Sequence, residues 1–428
     1  PVRSVLSITE PHCWHSPQRP THFAVVHPHS EQRYGAVRVF EEAMRSFRGG
    51  GGGRARRYGG PPTPPLVRTC LRQYRRPPTP RAGRARPGER SRGGRLWRSV
   101  VAEERRRRIA PRRTTPPERR SVGVGRLRET GDMPSTVHVL KSGRPLGVSW
   151  SGPEGAERVV VLAHPAPGSS DFDPDPEATA RHGVRLLSFD RPGYGASSLL
   201  TDLDPAGAGV GASPEQAAAD IAEYLATVGI ASVSAAGWSA GGRVALALAA
   251  NYPGLVERVA VIGTPAPDDA VPWVGDENRA ELARLADLPL DEAVRSLTRT
   301  LEGAFGPTPA PDALLGMLGS GDADTAVLET PGVRERLSRM LERAVAQGAL
   351  GMAADLIGYG VQEWGFAVES AEPPALLLYG AEDAVAGRRH AEWYAARLPD
   401  SRLEVVPGRG HLLAIPEWDR VLGFLLPA

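Results

Sequence analysis

The sequence predicts an α/β protein in which a mostly parallel, doubly wound sheet carries a long helical insertion. Short apolar runs alternate with helical segments on both sides of the insertion, which is typical of a parallel sheet with helices on both faces. Between Asp268 and Phe366 several helical stretches follow one another without a convincing strand. We expect this insertion above the carboxyl ends of the strands, where ligands bind in such sheets.

The first two predicted strands form a hairpin, with Thr136–Leu140 and Pro145–Ser149 joined by a turn at Lys141–Arg144. Arg158–Ala163 is almost entirely apolar, which is typical of a strand that is buried on both faces of a parallel sheet. Further strands are predicted at Val184–Phe189, Ala231–Ala236, Val256–Ile262, Ala375–Tyr379 and Arg402–Val406.

The helices of the predicted sheet have recognisable ends. Ser213 and Pro214 begin one helix, because a hydroxyl N-cap followed by proline starts helices, and Gly229 ends it after about Val228. Gly241–Asn251 is apolar nearly all round, which predicts a buried helix. The last two helices are predicted at Gly387–Leu398 and Pro416–Leu426.

Residues 1–132 have a different composition and hold 30 of the 52 Arg and Lys residues but only 10 of the 49 Asp and Glu residues. Their high Arg, Gly and Pro content and poor apolar periodicity predict disorder. Three interpretations stay open: a basic tail that binds nucleic acid through phosphates, a solvated linker or targeting arm, or translation from a misplaced start. We favour the last, with the protein starting at Met133 and the domain spanning 133–428. A peptide from before Met133 in the native protein would contradict it.

Several kinds of protein are not expected from this composition. Both cysteines, Cys13 and Cys70, lie in residues 1–132, so the domain has neither a disulfide framework nor a cysteine metal site. No apolar run approaches the roughly 18 residues that suggest a membrane span, and the first residues lack a secretory signal pattern. We therefore expect a cytoplasmic protein with no membrane partner, and nucleic-acid binding only through the basic tail.

The segment Gly237–Gly241 fits the pattern G-x-S-x-G, with Ser239 at its centre. It follows a predicted buried strand and opens a buried helix, which is the setting that a serine nucleophile requires on such a sheet. The flanking glycines allow close backbone approach, and the helix N-terminus places positive partial charge beside a developing oxyanion. Ser239 is the candidate nucleophile; the alternative is an ordinary strand-to-helix turn that contains a serine.

A serine hydroxyl needs an adjacent base to act as a nucleophile. His411 is the candidate, because it lies in a glycine-rich loop, Gly408–His411, between the last strand and the last helix. We expect structural or surface roles for His138, His182 and His390.

The base in turn needs an anion that fixes its tautomer and stabilises the imidazolium. Asp383 is the candidate, because it follows the predicted strand Ala375–Tyr379 and therefore lies at a carboxyl end. Asp268 or Asp269, after the preceding strand, is the alternative. The chain order of serine, aspartate and histidine matches one of the known orders of such triads.

A tetrahedral intermediate needs two backbone donors, and one should come from the loop after Arg158–Ala163. In that loop Pro165 and Pro167 have no N–H, so the Ala166 N–H is the candidate. Its expected partner is the N–H of Ala240, directly after the serine.

Four segments in this order resemble the α/β-hydrolase family, in the branch with a helical cap: His164–Ser169, Asp190–Ser197, Gly237–Gly241 and the pair of Asp383 and His411. The resemblance runs from Val137 to the C-terminus and implies an acyl-enzyme mechanism without a cofactor. Relatives that open epoxides or displace halide carry aspartate at the nucleophile position, so Ser239 favours acyl transfer to water. The family usually has glycine at the position of Pro165, where this chain departs from the pattern.

The expected function is hydrolysis of a small, largely apolar carboxylic ester, with a cap at 268–366 shaping the pocket. An amide, peptide N-terminus or carbon–carbon bond hydrolase would use the same three residues, and a slow-turnover ligand sensor on the same fold is a further alternative. The larger apolar residues of the cap are Trp273, Met317, Met340, Met352, Tyr359 and Trp364.

Overall fold

The structure, a computed structural model, describes residues 135–199, 212–319 and 321–426. The predictions for residues 1–132, namely disorder, nucleic-acid binding and an upstream start, lie outside these residues.

In the described part of the chain eight strands form one sheet in the order β1-β2-β4-β3-β5-β6-β7-β8. The pairs β1–β2 and β2–β4 are antiparallel and all other pairs are parallel, which confirms the predicted fold class. The strands are β1 Ser135–Val139, β2 Pro145–Ser151, β3 Arg158–Ala163, β4 Val184–Phe189, β5 Val233–Trp238, β6 Val256–Ile262, β7 Ala375–Gly380 and β8 Ser401–Val406.

The central strands are buried on both faces. In β3, Val160 and Leu162 enter one hydrophobic cluster while Val161 and Ala163 enter the other. Alternate side chains of a strand point to opposite faces, so two cores sandwich the sheet. This burial explains why these strands are continuous apolar runs in the sequence.

Helices cover both faces of the sheet. They are α1 Pro176–Arg181, α2 Pro214–Thr227, α3 Gly241–Asn251, α10 Arg388–Ala395 and α11 Trp418–Leu425, the intervening labels belonging to the insertion. The Ser213 side chain accepts from the Gln216 N–H, as the N-cap pattern predicts. Helix α1 is not predicted from the sequence, because its six residues are too few to show a helical period. Asp175 caps it by accepting from the N–H groups of Glu177 and Ala178.

Several boundaries differ from the predicted ones by a few residues, and those of β5 and of the last helix are examples. Strand β5 ends at Trp238 rather than Ala236, because Gly237 and Trp238 pair with Val261 and Ile262 of β6. The last helix begins at Trp418 rather than Pro416, since residues 415–417 form a turn that follows a separate 3₁₀ turn, His411–Ala414.

The insertion between β6 and β7 is helical, and no strand occurs among its described residues. Buried residues of these helices share one hydrophobic cluster with one face of the sheet. None of the helices within the described ranges is both long enough and apolar enough to cross a membrane. The helices are α4 Asp276–Ala286, α5 Leu290–Phe305, α6 Pro311–Leu318, α7 Asp322–Leu328, α8 Val333–Ala344 and α9 Leu350–Gly360.

Candidate active site

The turn between β5 and α3 holds Ser239 in a strained conformation. Its φ is +54°, the only positive φ of a non-glycine residue in the described ranges. Such a conformation costs about 1–3 kcal/mol and persists only where the surroundings enforce it. A Cβ at Gly237 would lie 2.2 Å from the Gly241 carbonyl oxygen, and one at Gly241 would lie 2.1 Å from that of Ala163. Both positions therefore need glycine, and the turn presents the serine at the top of the sheet.

The structure brings together the three side chains selected from the sequence. His411 Nε2 lies 2.9 Å from Ser239 Oγ, and His411 Nδ1 lies 2.8 Å from Asp383 Oδ2. All three residues are buried. The strand ends of β5, β7 and β8 supply the three loops, so the parallel sheet itself creates the cluster.

Two backbone N–H groups hold the second carboxylate oxygen of Asp383. Oδ1 accepts from the N–H groups of Val385 and Ala386, both at 2.8 Å, which leaves Oδ2 for the imidazole. Burial alone would raise the pKa of Asp383, but the charge and hydrogen bond of His411 and the two N–H groups outweigh it, so the pKa is lowered. Asp383 is an anion in the neutral range.

The electrostatic environment of His411 favours the imidazolium. Burial alone would lower the pKa of His411, but the charge and hydrogen bond of Asp383, with the charge of Asp324, outweigh it and raise the pKa. The imidazole is therefore a stronger base than an exposed histidine.

The alternative acids occupy other surroundings. Asp268 accepts from the N–H groups of Trp273 and Val274 at 2.8 and 2.7 Å and pairs with Arg279 at 2.7 Å. Asp268 thus stabilises the first residues of the insertion, whereas Asp269 lies exposed at the cavity wall. Neither forms a hydrogen bond with His411 in the described structure.

Both candidate oxyanion donors lie at the nucleophile. Ala166 and Ala240 line the same cavity as Ser239 and His411. Within the described ranges neither alanine N–H donates to another backbone or side-chain atom. Both donors are therefore available to a bound oxygen.

Arg191, in the segment Asp190–Ser197, stabilises the loop that carries Ala166. Its guanidinium donates to the carbonyl oxygens of His164 and Pro165, the latter at 2.9 Å. It also forms a buried ion pair of 2.5 Å with Asp355 of α9. One cation thus connects the oxyanion loop to the insertion.

His164 is held as a neutral ring beneath this loop. Its Nδ1 lies 2.8 Å from the Pro165 carbonyl oxygen, and its Nε2 accepts a hydrogen bond from the backbone N–H of Arg191 at 3.3 Å. Burial, together with the charge of Arg191, lowers the pKa of His164 well below its ordinary value. The ring therefore supports the loop as a neutral group.

The other histidines of the domain lie in structural surroundings. His138 on β1 packs its ring edge against Tyr224 at 5.1 Å, and His182 lies 3.2 Å from Asp419 near the surface. His390 Nδ1 accepts from the Ala266 N–H at 3.0 Å, and burial lowers the pKa of His390 to about 4.

A cavity of about 1070 Å³ opens onto Ser239 between the sheet and the insertion. It is large enough for a small organic substrate. Met340 does not line it, because its side chain is buried in the core. Within the described residues no cluster of His, Cys, Asp or Glu is arranged to hold a metal. The insertion residues named from the sequence that do line the cavity are Trp273, Met317, Met352, Tyr359 and Trp364.

The sheet, its flanking helices and this serine–histidine–aspartate cluster have the architecture of an α/β hydrolase. The model of the α/β hydrolase fold matches residues 158–417, and the chain belongs to this family and is a hydrolase.

Relatives with named activities support this assignment. The chain is 32% identical over 196 residues, 42% of this chain and 68% of the relative, to the pimeloyl-[acyl-carrier protein] methyl ester esterase of Aromatoleum aromaticum. It is 30% identical over 142 residues, 32% of this chain and 47% of the relative, to a 2-hydroxy-6-oxononadienedioate/2-hydroxy-6-oxononatrienedioate hydrolase of Burkholderia vietnamiensis. A thermophilic esterase from Thermogutta terrifontis shares the fold, with a TM-score of 0.50 and 22% identity, over 68% of this chain and 96% of that structure.

Proposed function

We propose that the protein is a serine hydrolase that cleaves a small, largely apolar carboxylic ester through an acyl-enzyme. The observation that carries the proposal is the unbroken line of short contacts from Ser239 Oγ through both nitrogens of His411 to Asp383. This arrangement gives a serine hydroxyl the base it needs and gives the base its anion.

In the first half-reaction Ser239 Oγ attacks the ester carbonyl carbon while His411 Nε2 takes the hydroxyl proton. The carbonyl oxygen becomes an oxyanion that the N–H groups of Ala166 and Ala240 and the N-terminus of α3 stabilise. The imidazolium, held by Asp383, then gives its proton to the leaving alcohol, and the acyl group stays on Ser239.

In the second half-reaction a water molecule attacks the acyl carbon while His411 takes one of its protons. The tetrahedral intermediate forms again at the same two N–H groups and collapses. The imidazolium returns the proton to Ser239 Oγ, and the carboxylic acid leaves. One ester and one water thus give one acid and one alcohol.

The insertion acts as the cap in this proposal. Its side chains, Met317 and Met352 among them, form the wall of the cavity that faces the nucleophile. Such a wall binds the apolar acyl or alcohol part of the ester by burying it.

Carbon–carbon bond hydrolysis is the second candidate. The relative from Burkholderia vietnamiensis, a hydrolase named for a dienedioate and a trienedioate, supports it. The same serine and histidine would serve this reaction. A substrate panel that includes both carboxylic esters and the hydroxy-oxo diacids in that relative's name distinguishes ester hydrolysis from carbon–carbon bond hydrolysis.

Hydrolysis of short-chain p-nitrophenyl esters by the full chain tests the proposal. Ser239→Ala should lower kcat by at least about a thousandfold while leaving the fold intact, because it removes the nucleophile. Ser232→Ala, which removes an exposed hydroxyl just before β5, is the matched control and should keep wild-type turnover. Folded wild-type protein that shows no more hydrolysis than Ser239→Ala would contradict the ester proposal.

A further inference from the structure

A carboxylate from the insertion reaches the turn that carries His411. Asp324 lies on α7 and is 3% exposed, and its Oδ1 accepts from the Leu412 N–H at 2.8 Å. This N–H belongs to the 3₁₀ turn His411–Ala414, whose N-cap Gly410 has no side chain to offer. The first N–H groups of such a turn have no partner within it, and Asp324 supplies one from a distant part of the chain.

The fit of this carboxylate is close on two sides. A Cβ at Gly410 would lie 2.4 Å from Asp324 Oδ1, and a Cβ at Gly319 would lie 2.7 Å from Oδ2. The side chain therefore lies in a slot between the backbone of the His411 loop and that of the insertion. Any larger residue at either glycine would displace it.

No arginine or lysine neutralises Asp324 within the described ranges. Arg409, which precedes the slot, pairs instead with Glu417 at 2.8 Å. Burial and the charge of Asp383 raise the pKa of Asp324 above its ordinary value, although the N–H groups of Leu412 and His411 and the charge of His411 act in the opposite direction. The cation whose charge acts on this carboxylate is the imidazolium of His411.

We propose that Asp324 is a positioning residue for His411, holding its turn in place and stabilising its imidazolium together with Asp383. This inference rests on the proposed function, because it assigns Asp324 to the base of that mechanism. In this proposal the insertion supplies a residue that positions the base, in addition to the side chains that line the cavity.

The other groups around the imidazole do not supply this charge. Ser239 is a neutral neighbour, the Trp238 ring centroid lies 6.2 Å away, and His390 is neutral with its pKa lowered to about 4. Among the residues that the structure describes, Asp383 and Asp324 are thus the anions that act on His411.

The test compares Asp324→Asn with the wild type in the full chain. A fluorophosphonate probe reports the reactivity of Ser239 without any substrate, since the serine oxygen displaces fluoride while His411 takes the proton. The amide of Asn keeps an oxygen acceptor for the Leu412 N–H but removes the charge, so the pKa of His411 falls. The acid limb of the pH profile of labelling, where the rate falls as His411 becomes protonated, should therefore move to lower pH.

Asp322→Asn is the matched control, because Asp322 lies on the same helix but is exposed. Its acid limb should coincide with that of the wild type. An acid limb of Asp324→Asn that also coincides with the wild type overturns the positioning role and leaves the proposed function standing. Folded wild type that is not labelled at any pH overturns both.

Gly410→Ala tests the same contact without changing a charge. The added Cβ pushes the carboxylate out of its slot, so labelling at the optimum pH should slow by about tenfold or more and the acid limb should again move to lower pH. Wild-type labelling in this variant, at an unchanged limb, contradicts the proposal even if Asp324→Asn fails to fold.

Discussion

At the scale of single residues, the site depends on which charges each buried group faces. Asp383 is surrounded by donors on both oxygens, and His411 has an anion on one side and the serine on the other. His164 is buried beside a cation and is neutral. The pKa of His164 and the pKa of His411 thus shift in opposite directions, and of these two histidines His411 is the one suited to accept a proton from Ser239.

The pKa of His411 predicts the pH dependence of the reaction. His411 acts as a base when it is unprotonated, and its pKa lies above the ordinary value. We predict that kcat/KM is full above this raised pKa and falls as the pH drops through it. A pH series of ester hydrolysis measures it, and activity that persists unchanged well below the ordinary histidine pKa would contradict the assignment.

Asp383→Asn should show the contribution of the anion. The amide keeps the shape of the side chain but cannot hold the imidazolium, so we expect kcat to fall by about a thousandfold or more. The remaining acid limb should move to lower pH, because the main cause of the raised pKa of His411 is gone. Asp268→Asn is the matched control, since Asp268 pairs with Arg279 and does not contact His411. Equal losses in both variants would argue against Asp383.

At the scale of elements, two helices of the insertion contact loops of the candidate site. Asp355 of α9 pairs with Arg191 under the oxyanion loop, and Asp324 of α7 contacts the His411 turn. Both carboxylates are buried, and each joins residues far apart in the chain. The geometry of the site therefore depends on the packing of the insertion.

Asp355→Asn should destabilise the protein strongly. It leaves the buried guanidinium of Arg191 without its anion, which typically costs about 3–5 kcal/mol. Asp312→Asn is the control, because Asp312 is 86% exposed in its pair with Arg334 and should cost at most about 1 kcal/mol. Urea unfolding measures the stability of both variants. Equal midpoints would show that the buried ion pair stabilises the protein no more than the exposed pair does.

Sequence patterns predicted the sheet well because its strands are buried on both faces and its helices have clear ends. Candidate residues such as Ser239 and Asp383 could be selected because they follow strands directly. The roles of Asp324 and Asp355 could not, because their partners lie 88 and 164 residues away along the chain. No local pattern records a contact between an insertion and a loop of the sheet.

At the scale of the whole molecule, the sheet presents the nucleophile to a cavity whose opposite wall is the insertion. The catalytic loops come from the sheet, whereas the residues that contact substrate in our proposal come largely from the insertion. Substitutions in the insertion should therefore change which substrates are preferred, while the hydrolytic mechanism stays the same.

Met317→Trp should narrow the range of substrates. Met317 lines the cavity and is only partly buried, so the larger ring fills space that a long acyl chain would occupy. We expect kcat/KM for long-chain p-nitrophenyl esters to fall by about tenfold relative to the acetate. Met340→Leu, a volume-conserving change in the core, should leave this ratio unchanged. A ratio that falls equally in both variants would argue against this position for the acyl chain.

The central claim is that Ser239 carries the acyl group, and rapid-quench mass spectrometry of the full chain mixed with p-nitrophenyl acetate tests it most directly. We predict a single acetyl group on the peptide that contains Ser239, formed within the first turnover, lost as water attacks and absent from Ser239→Ala. Steady hydrolysis with no acetylated Ser239, or an acetyl group on another residue whose loss tracks turnover, would contradict the account.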